Sequence, residues 1–288
     1  MDQIAAGYGL IEGPVWDAVQ GVLYFSDVEN GGIHRLDPRT GAVETVLAKR
    51  RGVGGMALHA HGGLIFGGRD IAYADLTGAP SRSLLTADDV KADVPTAIGF
   101  NDLTTDAAGR IYVGSLAFRV FGGDEPKPGA LHVIDLDGDA RAISDGVMLT
   151  NGLGFSPDGT RLYHSDSRSA LVRVYEVLAN GDVGPWRTFA QFPDGGVPDG
   201  LKVAADGAVF VADAERGVVA VFEADGRPRA ELPVPLPMVT SVCFGGPGLA
   251  ELYVVTGSRG GPRPGCGALF RTHPQAAGLP LAPARVPV

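Results

Sequence analysis

Cysteine is nearly missing from this chain: Cys243 and Cys266 are the two present in 288 residues. That is too few for a disulfide scaffold, and both read as reduced structural thiols with no redox or nucleophilic role. Positive charge is also short. Lys and Arg number 24 against 33 Asp and Glu, a net charge of −9, and no basic cluster stands out, so nucleic acid is not an expected partner. No apolar run approaches the roughly 20 residues that cross a bilayer. The opening stretch, MDQIAAGYGL, lacks the basic region and long apolar run of a signal peptide, so no membrane partner and a cytoplasmic location are expected. Sustained helical periodicity is missing throughout. So is a Gly-x-Ser-x-Gly elbow, which leaves a serine-hydrolase route without a local motif.

What the chain does have is an ordinary globular balance, with 45% hydrophobic and 20% charged residues, so a packed core is expected. Its length fits a single large all-β domain spanning 1–288. The main signal is a repeat: a short apolar strand with an aromatic or Ile near its centre recurs six times, as GVLYFSD, GLIFGG, RIYVGS, RLYHSD, AVFVAD and ELYVVTG. The central residues Tyr24, Ile65, Tyr112, Tyr163, Phe210 and Tyr253 are 41, 47, 51, 47 and 43 positions apart, one four-stranded unit per step. Asp- and Gly-rich turns such as PDGT at 157–160 separate the strands. Six such sheets arranged radially make a six-bladed β-propeller, an all-β fold of four-stranded antiparallel blades around a central channel. Ile4 to Ala6 are the candidate strand that closes the ring on the last repeat. The tail at 274–288, rich in Pro and Ala, is expected along the surface.

About twelve positions before each central residue, the first strand of each repeat opens on Glu12, Gly54, Asn101, Asn151, Asp199 and Thr240. Innermost strands run alongside the channel, so these positions form one layer around the axis. Four of the six carry carboxylate or carboxamide oxygens, and none is His or Cys. Such a set suits one hard divalent cation more than a thiolate-bound zinc. Calcium is the first expectation, with magnesium, manganese, zinc or ferrous iron as alternatives. The competing reading is that Asp and Asn only cap the turns entering these strands, and their shared register argues against it.

A second recurring polar position, Asp27, Ser115, Asp166 and Asp213, ends the second strand, where bonding to turn amides is the expected role. His34 and His132 occupy matching third-strand places and read as structural. The longer segment 116–129, LAFRVFGGDEPKPG, replaces a short hairpin and brings Phe118, Arg119 and Phe121 as candidate substrate contacts.

The motifs EGPVWD at 12–17, FNDLTTDAAGR at 100–110, LTNGLGFSPDG at 149–159, VPDGL at 197–201 and TSVCFGG at 240–246 occur in order along nearly the whole chain. With them the sequence resembles the senescence marker protein (regucalcin), gluconolactonase and luciferin-regenerating-enzyme-like family. The resemblance implies a metal-dependent lactonase acting on a small-molecule sugar lactone. It makes Glu12, Asn151 and Asp199 the metal ligands, Asn101 a substrate contact or additional ligand, and Asp199 the catalytic base as well. Regucalcin-type gluconolactonases carry Arg two residues before the Asn101 position, where this chain has Gly99. The expectation there is a wider pocket, with Arg119 reaching in from above. A phosphotriesterase-like hydrolase on the same site, or a calcium-binding propeller without turnover, are the alternatives. A monomer or weak homodimer is expected.

Overall fold

A computed structural model describes residues 1–193, 195–258 and 265–288. Among these residues, six four-stranded antiparallel sheets form a ring, a six-bladed β-propeller. Strand β1 (Asp2–Tyr8) comes first in the chain but belongs to the last blade. The first blade is β2 (Ile11–Asp17), β3 (Val22–Asp27), β4 (Ile33–Asp37) and β5 (Ala42–Leu47). The second is β6 (Met56–Leu58), β7 (Leu64–Phe66), β8 (Asp70–Ala74) and β9 (Arg82–Thr86). The third is β10 (Gly99–Thr105), β11 (Ile111–Leu116), β12 (Gly129–Ile134) and β13 (Ala140–Val147). The fourth is β14 (Thr150–Phe155), β15 (Arg161–Asp166), β16 (Leu171–Glu176) and β17 (Arg187–Gln191). The fifth is β18 (Pro198–Val203), β19 (Val209–Asp213), β20 (Val218–Phe222) and β21 (Pro228–Pro233). The sixth joins β22 (Val239–Gly245), β23 (Glu251–Thr256) and β24 (Gly267–Thr272) to β1.

The six central residues of the repeat fall on β3, β7, β11, β15, β19 and β23, the second strand of each blade. These strands are buried on both faces, which is why they read as continuous apolar runs and not as alternating ones. Outer strands such as β5 and β21 are mostly exposed. Ring closure occurs where expected: β1 pairs antiparallel with β24, Asp2 opposite Arg271 and Ala6 opposite Ala268. Pairing the chain's first strand to its last blade leaves no open edge between them. Among the described residues, no helix is long and apolar enough to cross a membrane.

The tail is not a loose surface segment. It adds no regular strand, but Ala284 and Val286 are buried, and its backbone bonds with Val203 and Ala205 of the fifth blade, Leu249 of the sixth, Leu58 and Ala60 of the second and Gly109 of the third. These partners lie at or beyond the far ends of the inner strands. The tail therefore crosses the channel at the end opposite Glu12, Asn101, Asn151 and Asp199. There it forms one wall of a cavity of about 1220 Å³, lined also by Trp16, Thr104, Phe155, Lys202 and Phe244.

Candidate metal centre

Each inner strand that carries a donor breaks its ladder at the donor. The register slips between Glu12 and Val15 in β2, Phe100 and Leu103 in β10, Thr150 and Leu153 in β14, and Pro198 and Leu201 in β18. A bulge leaves its residues unpaired and re-aims their side chains; Asn101, Asn151 and Asp199 lie inside their bulges, while Glu12, still opposite Ser26, stands at the edge of its own. The residue after the donor position is Gly13, Gly55, Asp102, Gly152, Gly200 or Ser241, and the glycines are required by close approach. A Cβ at Gly152 would stand 2.2 Å from the amide nitrogen of Leu201, and one at Gly200 would stand 2.1 Å from Ser241 Oγ. Neighbouring inner strands touch backbone to backbone at this level, which sets the radius of the donor layer.

The two amides of that layer meet directly. Asn101 Nδ2 donates to Asn151 Oδ1 at 2.6 Å and to the Thr150 carbonyl at 2.8 Å. Asn151 Nδ2 donates to Ser167 Oγ at 2.8 Å, which turns its oxygen toward Asn101. Ser167 Oγ in turn donates to the Pro198 carbonyl at 2.6 Å, tying the fourth blade to the entry of β18. Gly54 leaves the space that Asn101 fills: a Cβ there would lie 1.9 Å from Asn101 Oδ1.

The carboxylates are held under electrostatic stress. Burial pushes Glu12 well above the usual carboxylate range, and the charges of Asp199 and Asp102 push it further. Burial likewise raises Asp199, with Asp102 next in effect. Asp199 is 8% exposed, and its Oδ1 has no hydrogen-bond partner among the described residues. A buried carboxylate oxygen without a donor beside a second buried carboxylate is a costly arrangement unless a cation takes the charge. The donor set therefore fits a hard divalent ion, with Glu12 and Asp199 supplying charge and amide oxygens completing the shell. Among the described residues no three His, Cys, Asp or Glu side chains converge, so the amides are needed for that shell.

Two participants escape a motif reading. Asp102 is the lone carboxylate in a layer otherwise Gly or Ser; it is buried, accepts from the Leu103 amide at 2.7 Å, and burial raises its pKa. Lys202, three residues after Asp199, lies near enough that its charge partly offsets the rise at Glu12 and Asp102. Aligning the positions after each donor would have exposed both as outliers.

The second polar register does what was expected and more. Asp27 accepts from the amides of Gly9 and Asn30 at 3.0 Å each, Asp166 from Met148 and Leu149 at 3.1 Å each, and Asp213 from Val197 at 3.0 Å. Each clamps the chain just ahead of Glu12, Asn151 or Asp199, in the three blades assigned the principal donors. Ser115 instead bonds Ala130 and the ring of His132. His132 is fully buried and pushed down to about 4 by burial, and His34 bonds Thr45 Oγ1 at 3.1 Å.

At the channel mouth, Gly99 does not open a wider pocket. A Cβ there would meet the Gly68 carbonyl at 2.6 Å, because Gly68 and Phe100 form a backbone bridge between the second and third blades. Backbone occupies the space. Arg119 is paired with Asp124 at 2.6 Å within its own loop, its side chain 70% exposed. Phe121 is half exposed, whereas Phe118 is buried and lies under the Arg168 guanidinium, 5.7 Å from the ring centroid.

Residues 10–258 match the family described as SMP-30/Gluconolactonase/LRE-like region. The chain belongs to that family. Its relatives include Pentonolactonase XacC of Haloferax volcanii, 34% identical over 93% of this chain and 92% of the relative. They also include a 6-deoxy-6-sulfogluconolactonase of Pseudomonas putida, 33% identical over 85% and 82%. Among solved structures, a luciferin-regenerating enzyme superposes with a TM-score of 0.88 at 22% identity over 99% of both chains, a likeness that shows the family fold. So does regucalcin, a calcium-binding protein of Agrobacterium tumefaciens, with a TM-score of 0.84 at 19% identity over 98% and 96%.

Proposed function

We propose that this protein is a metal-dependent lactonase that opens the ring of a sugar or related lactone. The observation that carries the reading is the unpartnered Asp199 Oδ1 beside Glu12, in a layer completed by Asn101 and Asn151. Relatives named as lactonases, matched over nearly the whole chain, support the choice of reaction. Glu12, Asn151 and Asp199 would hold one divalent ion, with Asn101 beside them as a further ligand or substrate contact. When bound, the ion supplies a Lewis acid that polarises the lactone carbonyl and lowers the pKa of a water.

The chain's own residues do the remaining work. Asp199 receives the proton of the attacking water at a carboxylate oxygen, and that proton is returned to the ring oxygen as the acyl C–O bond breaks. Asn101, fixed by Asn151 and the Thr150 carbonyl, orients the lactone. Phe118, expected as an apolar wall, is buried beneath the Arg168 guanidinium and would act at the mouth only by supporting it. Arg119 and Phe121 stand on the same loop, and Arg119 meets substrate only by leaving Asp124.

A calcium-binding protein without turnover is the second reading, favoured by the likeness to a regucalcin described as calcium-binding. Metal-stripped protein assayed on a panel of aldonolactones, each divalent ion restored in turn, tests both. Ion-dependent hydrolysis of a lactone is expected. Tight ion binding with no hydrolysis of any lactone would favour the second reading, and hydrolysis unaffected by chelation would overturn the assignment of the ion.

A further inference from the structure

The loop that carries Arg119 was the expected source of a cation at the mouth, but that cation is already spent on Asp124. A different arginine stands there. The turn between β15 and β16 begins with Ser167, whose hydroxyl receives the Asn151 amide, so this turn sits beside Asn151 at the edge of the candidate layer. The next residue is Arg168. Asp166 accepts from the Ser169 amide at 3.4 Å and Ala170 closes the turn in a left-handed conformation, φ 51. The backbone carrying Arg168 is therefore set from both sides.

The Arg168 side chain leans from the fourth blade toward the third and lies over the Phe118 ring. Among the described residues it makes no ion pair, although most other arginines at turns do, including Arg39, Arg110, Arg216 and Arg227. A guanidinium stacked on an aromatic face keeps its edge donors directed outward and matches a carboxylate bidentately. An anion approaching a chain of net charge −9 needs such a local cation.

We infer that Arg168, stacked on Phe118 in the turn beside Asn151, is a specificity residue that selects lactones bearing a carboxylate or similar anionic group away from the ring carbonyl. The inference rests on the lactonase reading of the site. D-glucaro-1,4-lactone and D-glucono-1,4-lactone make a matched pair of probes, with the same ring and a carboxylate in place of a hydroxymethyl group. Wild-type protein should prefer the anionic lactone in kcat/KM. Arg168→Ala should lose about tenfold or more on it and no more than about twofold on the neutral one, the loss lying mainly in KM. Arg168→Lys should recover part of the preference, and added salt should erode it in the wild type. Arg227→Ala, a surface change on the fifth blade, should alter neither rate.

A binding measurement separates the two ideas. Calorimetric titration of wild-type and Arg168→Ala protein with glucarate and with gluconate should show tighter glucarate binding that depends on Arg168. If neither lactone turns over but that binding pattern holds, the anion site stands and the lactonase reading falls. If both lactones are hydrolysed with equal losses in Arg168→Ala, or with none, the inference is overturned and the lactonase reading stands. A charge-dependent loss in Arg119→Ala and not in Arg168→Ala would also overturn it. Loss of ordered secondary structure in Arg168→Ala would move the comparison to Arg168→Lys and Arg168→Gln, read by the same ratio.

Discussion

At the scale of single residues, the candidate centre is a set of charges that repel one another without an ion. Asp199→Asn keeps the shape and removes both the charge and the proposed base, so lactone turnover should fall by about a thousandfold or more. The metal-free variant should melt at or above the wild-type temperature, since a buried repulsion is gone. A clear drop in its melting temperature would mean that Asp199 is held by something other than charge. The pH dependence follows from the raised carboxylates. Glu12 and Asp199 hold protons in the folded metal-free protein to higher pH than in the unfolded chain, so ionising them costs stability as pH rises above the ordinary carboxylate range. The proposed ion would bind the ionised form. The rise in melting temperature on adding calcium should therefore be small near pH 4.5 and grow toward neutrality. In Glu12→Gln that growth should flatten, and an ion effect independent of pH would argue against carboxylate ligands.

Strands and clamps decide where those residues stand. Asp27 accepts from the Gly9 and Asn30 amides ahead of and beyond Glu12, with Asn30 Nδ2 at 2.8 Å, and these bonds hold its pKa below the ordinary value against its burial. Its contribution is present above the unfolded carboxylate pKa and is lost as pH falls through the lower folded value. Asp27→Ala should cost about 2 kcal/mol at neutral pH and weaken ion binding about tenfold, read by denaturant melts and calorimetry. A full loss of stability with unchanged ion affinity would reduce Asp27 to a turn cap. The blades were legible because Tyr24, Tyr112, Tyr163 and Tyr253 sit on strands buried on both faces, whose pattern survives in one dimension. The shared register of Glu12, Asn101, Asn151 and Asp199 was legible for the same reason, since they stand near the start of equivalent inner strands. Asp102 was legible too, as the one carboxylate in its register, but the bridge at Gly99 and the Phe118–Arg168 stack were not, because each depends on how closely two blades approach, and strand patterns do not encode that distance. Gly200→Ala tests the approach itself: with Ser241 Oγ 2.1 Å from the new Cβ, the fifth and sixth blades must part, at a cost of about 2 to 4 kcal/mol.

For the whole molecule, closure is double. β1 zips the last blade on one flank, and the tail straps the second, third, fifth and sixth blades across the far end of the channel. Deleting 276–288 removes the buried Ala284 and Val286 and the backbone bonds around them, so the melting temperature should fall by several degrees. An unchanged melting curve would make the strap dispensable. The zip has a further consequence. Glu12 belongs to the first blade and Asp199 to the fifth, and their spacing is fixed only once the sixth is seated between them with β1 in place. A partial chain, or one refolded with its ends apart, would carry every donor and still fail to capture the ion. On the proposed reading, ion capture would act as a checkpoint on ring closure, adding stability only to those copies in which β1 has joined the last blade.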